Sequence, residues 1–83
     1  MTGEKKKKEL LARARRALRG AWRCVYLAKV AEQKEYAALP ESEKKAAEGE
    51  RKADRIDMLD DAVDEISCLI DTLEECKKEA ALQ

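Results

Sequence analysis

Histidine and phenylalanine are absent from the 83 residues, proline and tryptophan occur once each, and glycine three times. Without histidine the chain lacks the commonest general base and the commonest metal ligand. Acid-base or metal chemistry would have to come from cysteine and carboxylates alone. A single proline, Pro40, leaves one strong breaker of helical pattern. No stretch nears the roughly 20 apolar residues that cross a bilayer. Lys5 to Lys8 lead into charged sequence rather than the apolar core of a signal peptide. The expectation is a soluble, cytoplasmic chain without a membrane partner. An odd set of cysteines, Cys24, Cys68 and Cys76, fits reduced thiols better than a disulfide framework.

What is abundant is charge, at 43% of residues, together with Ala, Leu, Glu, Lys and Arg. That composition belongs to long helices and coiled coils, so the fold class expected is all-α. At this length one domain, residues 1–83, lies near the lower limit at which a single core is sufficient, and help from a partner chain is expected. The net charge of zero conceals an asymmetry. Residues 1–40 hold eleven basic and four acidic side chains, giving +7, and residues 41–83 hold seven basic and fourteen acidic, giving −7.

Pro40 disfavours helix at Leu39 but suits a first helical turn, where Glu41 and Glu43 complement the helix dipole. The pattern therefore predicts a helix over 5–38, a turn over 39–41 and a helix over 41–80. Favourably ordered pairs four residues apart, Glu41 to Lys45, Glu48 to Lys52 and Glu74 to Lys78, support one continuous second helix. In it Ile56, Leu59, Val63, Ile66, Ile70 and Leu73 recur at alternating steps of three and four, as in a coiled-coil seam. Leu11, Ala14, Leu18, Ala21, Val25, Ala28, Tyr36 and Leu39 form the matching stripe of the first helix.

A fold-back at Pro40 predicts an antiparallel two-helix hairpin with Leu11 facing Ile70, Ala14 facing Ile66, Leu18 facing Val63, Ala21 facing Leu59 and Val25 facing Ile56. Gly49 then falls across from Glu32, where a missing side chain would let the backbones approach; a bend or local break over 47–52 is the alternative to a continuous helix. Basic and acidic runs lie side by side, which specifies orientation more than it stabilises, at about 0.2–1 kcal/mol per exposed pair. Leu10, Ala17 and Cys24 on the first helix, and Met58, Ala62, Leu69 and Cys76 on the second, widen the apolar arc to roughly 160°, more than one neighbouring helix covers. Self-association of two copies into a dimeric four-helix bundle is the economical solution, with a groove or helix of another protein as its main competitor.

The residues point to no enzyme, and no catalytic, cofactor or metal site is expected. Asp57, Asp60, Asp61, Asp64 and Glu65 lack both the Glu-x-x-His pattern of di-iron bundles and the loop of an EF-hand. The cysteines have no histidine to activate them and read as small, half-buried packing residues. Two surfaces fit a protein partner. Arg19, Trp22, Arg23, Tyr26 and Val30 combine the side chains richest in binding hot spots, rotated from the core stripe towards solvent. Asp57, Asp61, Asp64 and Glu65 form an outward acidic set able to mimic a nucleic-acid backbone towards a basic groove. The alternative is nucleic-acid binding through Lys5, Lys6, Lys7, Lys8, Arg16, Arg19 and Arg23.

The stretches "KADRIDMLDDAVDEISCLIDTLEECKKEA" and "RARRALRGAWRCVYLAKVAEQKEY" resemble the helical N-terminal region of ArpU/RinA-like late-gene regulators and similar small phage and prophage proteins. The likeness implies a helical-hairpin protein of a mobile element. Those regulators continue into a helix-turn-helix or sigma-like domain, which this sequence does not contain. The expectation becomes an accessory regulator or an inhibitor of a host protein such as a defence nuclease.

Overall fold

The structure is a computed structural model that describes residues 2–82. Three helices follow one another: α1 from Thr2–Ala38, α2 from Glu41–Lys44 and α3 from Ala47–Leu82. No strand occurs among the described residues, as an all-α composition requires. The long helices lie side by side and α2 rests against α3. The resulting rod measures 64 × 15 × 14 Å. Its radius of gyration of 18.6 Å exceeds the roughly 12 Å of a compact domain of this length.

The helix expected over 41–80 is divided. Pro40 adopts φ −61° and ψ 154°, and its carbonyl accepts from the N–H groups of Glu43 and Lys44, both at 3.0 Å, which starts α2. The turn ends at Lys45, and the Ala46 carbonyl then accepts the Glu50 N–H at 3.1 Å to open α3. Gly49 makes the corner possible. A Cβ there would strike the Glu43 carbonyl oxygen and lie 2.6 Å from the Lys44 oxygen and 2.7 Å from its Cα. The backbone that approaches Gly49 is therefore that of α2, not that of Glu32. Local pairing differs too. Lys44 reaches Glu41 and Lys78 reaches Glu75, each three residues away, while Lys52 turns from Glu48 to Glu32 and Glu35 on α1.

The wider corner resets the register. Arg15 meets Glu74 at 3.0 Å and Lys29 meets Asp60 at 3.1 Å. In both pairs the residue numbers add to 89, against the 80 or 81 expected from a fold-back at Pro40. The expected opposition of Leu11 with Ile70, Leu18 with Val63 and Val25 with Ile56, centred on Pro40, is displaced by more than two helical turns of partner sequence.

The half-buried stripe of α3 holds Ile56, Leu59, Ile66, Ile70 and Leu73 as expected, with Val63, 7% exposed, the one buried apolar side chain among the described residues. On α1, Leu11, Ala14, Leu18, Val25, Tyr36 and Leu39 are half-buried, but Ala21 and Ala28 are exposed. Trp22, Lys29 and Glu32 take their places in the seam. Trp22 covers far more apolar area than alanine, so rotating α1 to shelter it is the favourable choice. Lys29 lays its stem along the seam, with its side chain 15% exposed, and holds its ammonium on Asp60.

Candidate functional site

Trp22 lies at the edge of the seam, where α1 turns it partly against α3 and leaves its ring plane open to the next turn. Tyr26, one turn on, stacks on it with centroids 5.1 Å apart and planes 7° from parallel. Lys29 places its ammonium 5.0 Å from the Tyr26 centroid and also bonds Asp60. An aromatic pair with a cation at its end and a carboxylate behind the cation is held before any partner arrives. Such prior ordering reduces the side-chain entropy that binding would otherwise cost.

Arg19 and Arg23 flank the tryptophan on successive turns. With Trp22 on one side and Ser67, Ile70 and Asp71 of α3 on the other, they line a shallow cleft of about 290 Å³. That space lies at the small end of ligand sites and accommodates one inserted side chain. Arg19 stands 3.8 Å from Glu74, which Arg15 already engages, so Glu74 anchors the arginine side of the cleft to α3. Arg23 and Asp71 make no ion pair within the described residues.

Of the five side chains expected to share a contact face, Arg19, Trp22 and Arg23 come together in the cleft, Tyr26 extends it by stacking, and Val30 sits one turn farther along α1. Trp22 and Val30 are half-buried rather than turned to solvent. The α3 side of the cleft was not foreseen, because Ser67, Ile70 and Asp71 face Trp22 only in the displaced register. Asp57, Asp61, Asp64 and Glu65 are all exposed on α3, without ion pairs among the described residues, and they do not line the cleft. Asp64 and Glu65 instead rim an open apolar hollow around Leu69 with Cys68 and Thr72. Lys5 to Lys8, Arg16, Arg19 and Arg23 are exposed, and Arg16 bonds back to the Ala12 carbonyl.

Cys24, Cys68 and Cys76 are free and exposed, which corrects the half-buried packing role expected of them. Among the described residues no group of three or more Cys, Asp or Glu side chains converges as it would around a metal ion, and no helix is long and apolar enough to cross a membrane. Two covered polar atoms, Arg15 Nε and Glu32 Oε2, have no hydrogen-bond partner, although Glu32 Oε2 lies 3.8 Å from the Lys52 ammonium. Charge attraction reaches that far; a hydrogen bond does not.

Near the corner, Lys52 donates to Glu35 at 2.9 Å. That bond, followed by the Lys52 charge, holds the Glu35 carboxyl below the usual carboxylate range, and the same bond raises the Lys52 ammonium above its ordinary value. The sign follows from each shift. Glu35 contributes stability above its unfolded pKa, lost as pH falls through the depressed value; Lys52 contributes below its unfolded pKa, lost as pH rises through the raised one. A carboxyl-carbon NMR titration should place the Glu35 midpoint below that of a model glutamate, and Lys52→Met should move it back up. A midpoint unmoved by Lys52→Met would show that the bond does not persist in solution.

No protein-family model matches the chain, and no curated protein or solved structure matches it. The functional reading therefore rests on the residues themselves.

Proposed function

We propose that this chain is a non-enzymatic binding protein: an antiparallel, coiled-coil-like hairpin, paired into a dimeric four-helix bundle, that grips another protein through the Trp22 cleft. The observation that carries the reading is the conjunction of one half-buried tryptophan, two flanking arginines and a stacked tyrosine beside a space sized for one side chain. Trp, Tyr and Arg dominate the energetics of protein interfaces. The partner that fits presents an apolar side chain flanked by carboxylates, the apolar group entering beside Trp22 and Ile70 and the acids meeting Arg19 and Arg23. On the resemblance to phage and prophage proteins, the proposal extends to a mobile-element accessory regulator or an inhibitor of a host protein such as a defence nuclease. The acidic set Asp57, Asp61, Asp64 and Glu65 is the second contact surface of the proposal.

The test is capture of the partner from host lysate followed by titration with variants. Trp22→Ala should weaken binding by about 30-fold or more, the loss of a hot-spot side chain at about 2 kcal/mol. Serine in place of Asp61, Asp64 and Glu65 together measures the acidic surface; unchanged affinity would remove it from the proposal. A partner that binds Trp22→Ala as well as it binds the parent would overturn the cleft.

Nucleic-acid binding is the second reading, favoured by the exposed run Lys5 to Lys8 and by Arg16 and Arg23, two arginines without an ion-pair partner among the described residues. Salt separates the two readings. Four phosphate contacts would make affinity fall about 100-fold between 50 and 200 mM salt. A cleft dominated by Trp22 loses far less over that range.

A further inference from the structure

We infer that the face of the rod opposite the tryptophan cleft binds a second copy of this chain, with Leu69 of each copy seated in the hollow between Ala17, Gly20, Ala21 and Cys24 of the other. The inference rests on the hairpin reading above and adds to it the surface that closes the dimer and the register in which it closes.

The two sides of the rod differ in kind. Along residues 15–29 of α1 the ion pairs to α3, from Arg15 and Arg19 to Glu74 and from Lys29 to Asp60, share the side that carries the cleft. On the other side, between residues 10–28 and 58–76, no ion pair bridges the helices among the described residues. Apolar groups stand there instead: Leu10 is 53% exposed, Met58 69% and Leu69 51%. Beside them on α1 run Ala14, Ala17, Ala21, Cys24 and Ala28, at steps of three and four from Leu10. That is a second coiled-coil seam, about a quarter turn from the one that meets α3.

Area leaves room for a partner chain. The chain exposes 6511 Å², against about 5,000 Å² for a monomeric protein of its mass. The excess of about 1,500 Å² is more than the roughly 800 Å² that each partner gives up in a standard interface.

Shape says what covers it. Residues i, i+3, i+4 and i+7 of a helix frame the hole that receives a knob, and Ala17, Gly20, Ala21 and Cys24 are such a set built only from small side chains. With opposed numbers adding to 89, Leu69 lies level with Gly20, the centre of that hole. A Cβ added at Gly20 meets nothing within 4 Å, so packing inside one chain gives no reason for a glycine that weakens its helix. As part of the rim of the Leu69 hole it has one. A twofold axis along the rod sets α1 of one copy over α3 of the other at unchanged height, so each face supplies both the knob and the hole, as an isologous dimer needs. The same operation carries Met58 over Ala28 and Ala31.

Charge selects this axis over the one across the rod. The latter would stack α1 on α1, the +7 half on its own kind, with Arg13 and Arg16 unpaired. The axis along the rod sets each +7 half beside a −7 half, and Glu65, at the rim around Leu69, approaches the basic helix of the other copy. Both tryptophan clefts then point outward, on opposite sides of the bundle.

Light scattering on the whole chain should give about twice 9.4 kDa. Leu69→Asp changes a side chain that one chain leaves exposed, and Gly20→Leu raises helix propensity while plugging the hole. Both should return the mass to that of one chain at equal protein concentration, with Trp22 still stacked and the cleft intact. With the three native cysteines replaced by serine, Ala21→Cys combined with Leu69→Cys should give a disulfide-linked dimer on oxidation, whereas Leu27→Cys alone, on the outer side of α1, should not. Three results would overturn the inference: a parent chain of single mass, a dimer that survives both Leu69→Asp and Gly20→Leu, or crosslinking of the Leu27→Cys chain but not of the chain carrying Ala21→Cys and Leu69→Cys. Partner binding by the Leu69→Asp chain reads the cleft separately, so failure of the dimer and failure of the binding proposal are distinguishable.

Discussion

Gly49→Ala should lower the thermal unfolding midpoint by about 10–15 °C, the consequence of about 2–3 kcal/mol of overpacking in a domain of this size. The sign is the informative part. Gly49 lies inside α3, where propensity alone predicts that alanine stabilises by about 1 kcal/mol. Its added methyl would meet the backbone of Glu43 and Lys44, three main-chain atoms that cannot swing aside as the end of a side chain can. Relief requires α2 to lift from α3, and with it the corner that sets the register of the whole rod. A differential scanning measurement decides the matter. A midpoint that rises, as propensity alone requires, would show that α2 does not sit on Gly49 in solution.

Val63→Asp should abolish cooperative unfolding at neutral pH. Native stability runs at about 0.05–0.15 kcal/mol per residue, so this chain has about 4–12 kcal/mol in all. Val63 is the one buried apolar side chain among the described residues, and an unpaired carboxylate in its place costs a comparable amount. The charged form is the penalised one, so the pKa of the new carboxyl is raised in the folded state and the damage shrinks as pH falls through that raised value. Circular dichroism melts at neutral and acid pH read both effects. Leu27→Asp supplies the comparison, since Leu27 is 58% exposed and its replacement should shift stability by no more than about 0.5 kcal/mol. Equal melts for the two variants would remove Val63 from the centre of the core.

The α3 stripe was legible in the sequence because Ile56, Leu59, Val63, Ile66, Ile70 and Leu73 are large, apolar and spaced as one helical face requires. The α1 stripe was legible only in part. Its apolar arc is wide and rich in alanine, so several rotations bury similar area, and the choice fell to Trp22, whose size outweighs Ala21 and Ala28. Register was the least legible feature. A pattern of alternating threes and fours overlays itself after seven residues, so two such stripes mesh at more than one offset. What decides between offsets is the length of the corner, and that depends on Gly49 receiving the backbone of α2, a contact between residues five and six apart that no helical periodicity reveals. The cleft inherits the same limit. Arg19, Trp22 and Arg23 follow from composition and spacing, whereas Ser67, Ile70 and Asp71 follow only from the register.

Methyl-to-methyl nuclear Overhauser contacts test the doubled-back rod and its register at once. With opposed numbers adding to 89, contacts within one copy should join Leu18 to Ile70 and Val25 to Val63. Contacts joining Leu18 to Val63 and Val25 to Ile56, or no contacts between α1 and α3 at all, would contradict the corner, the cleft and the dimer face together.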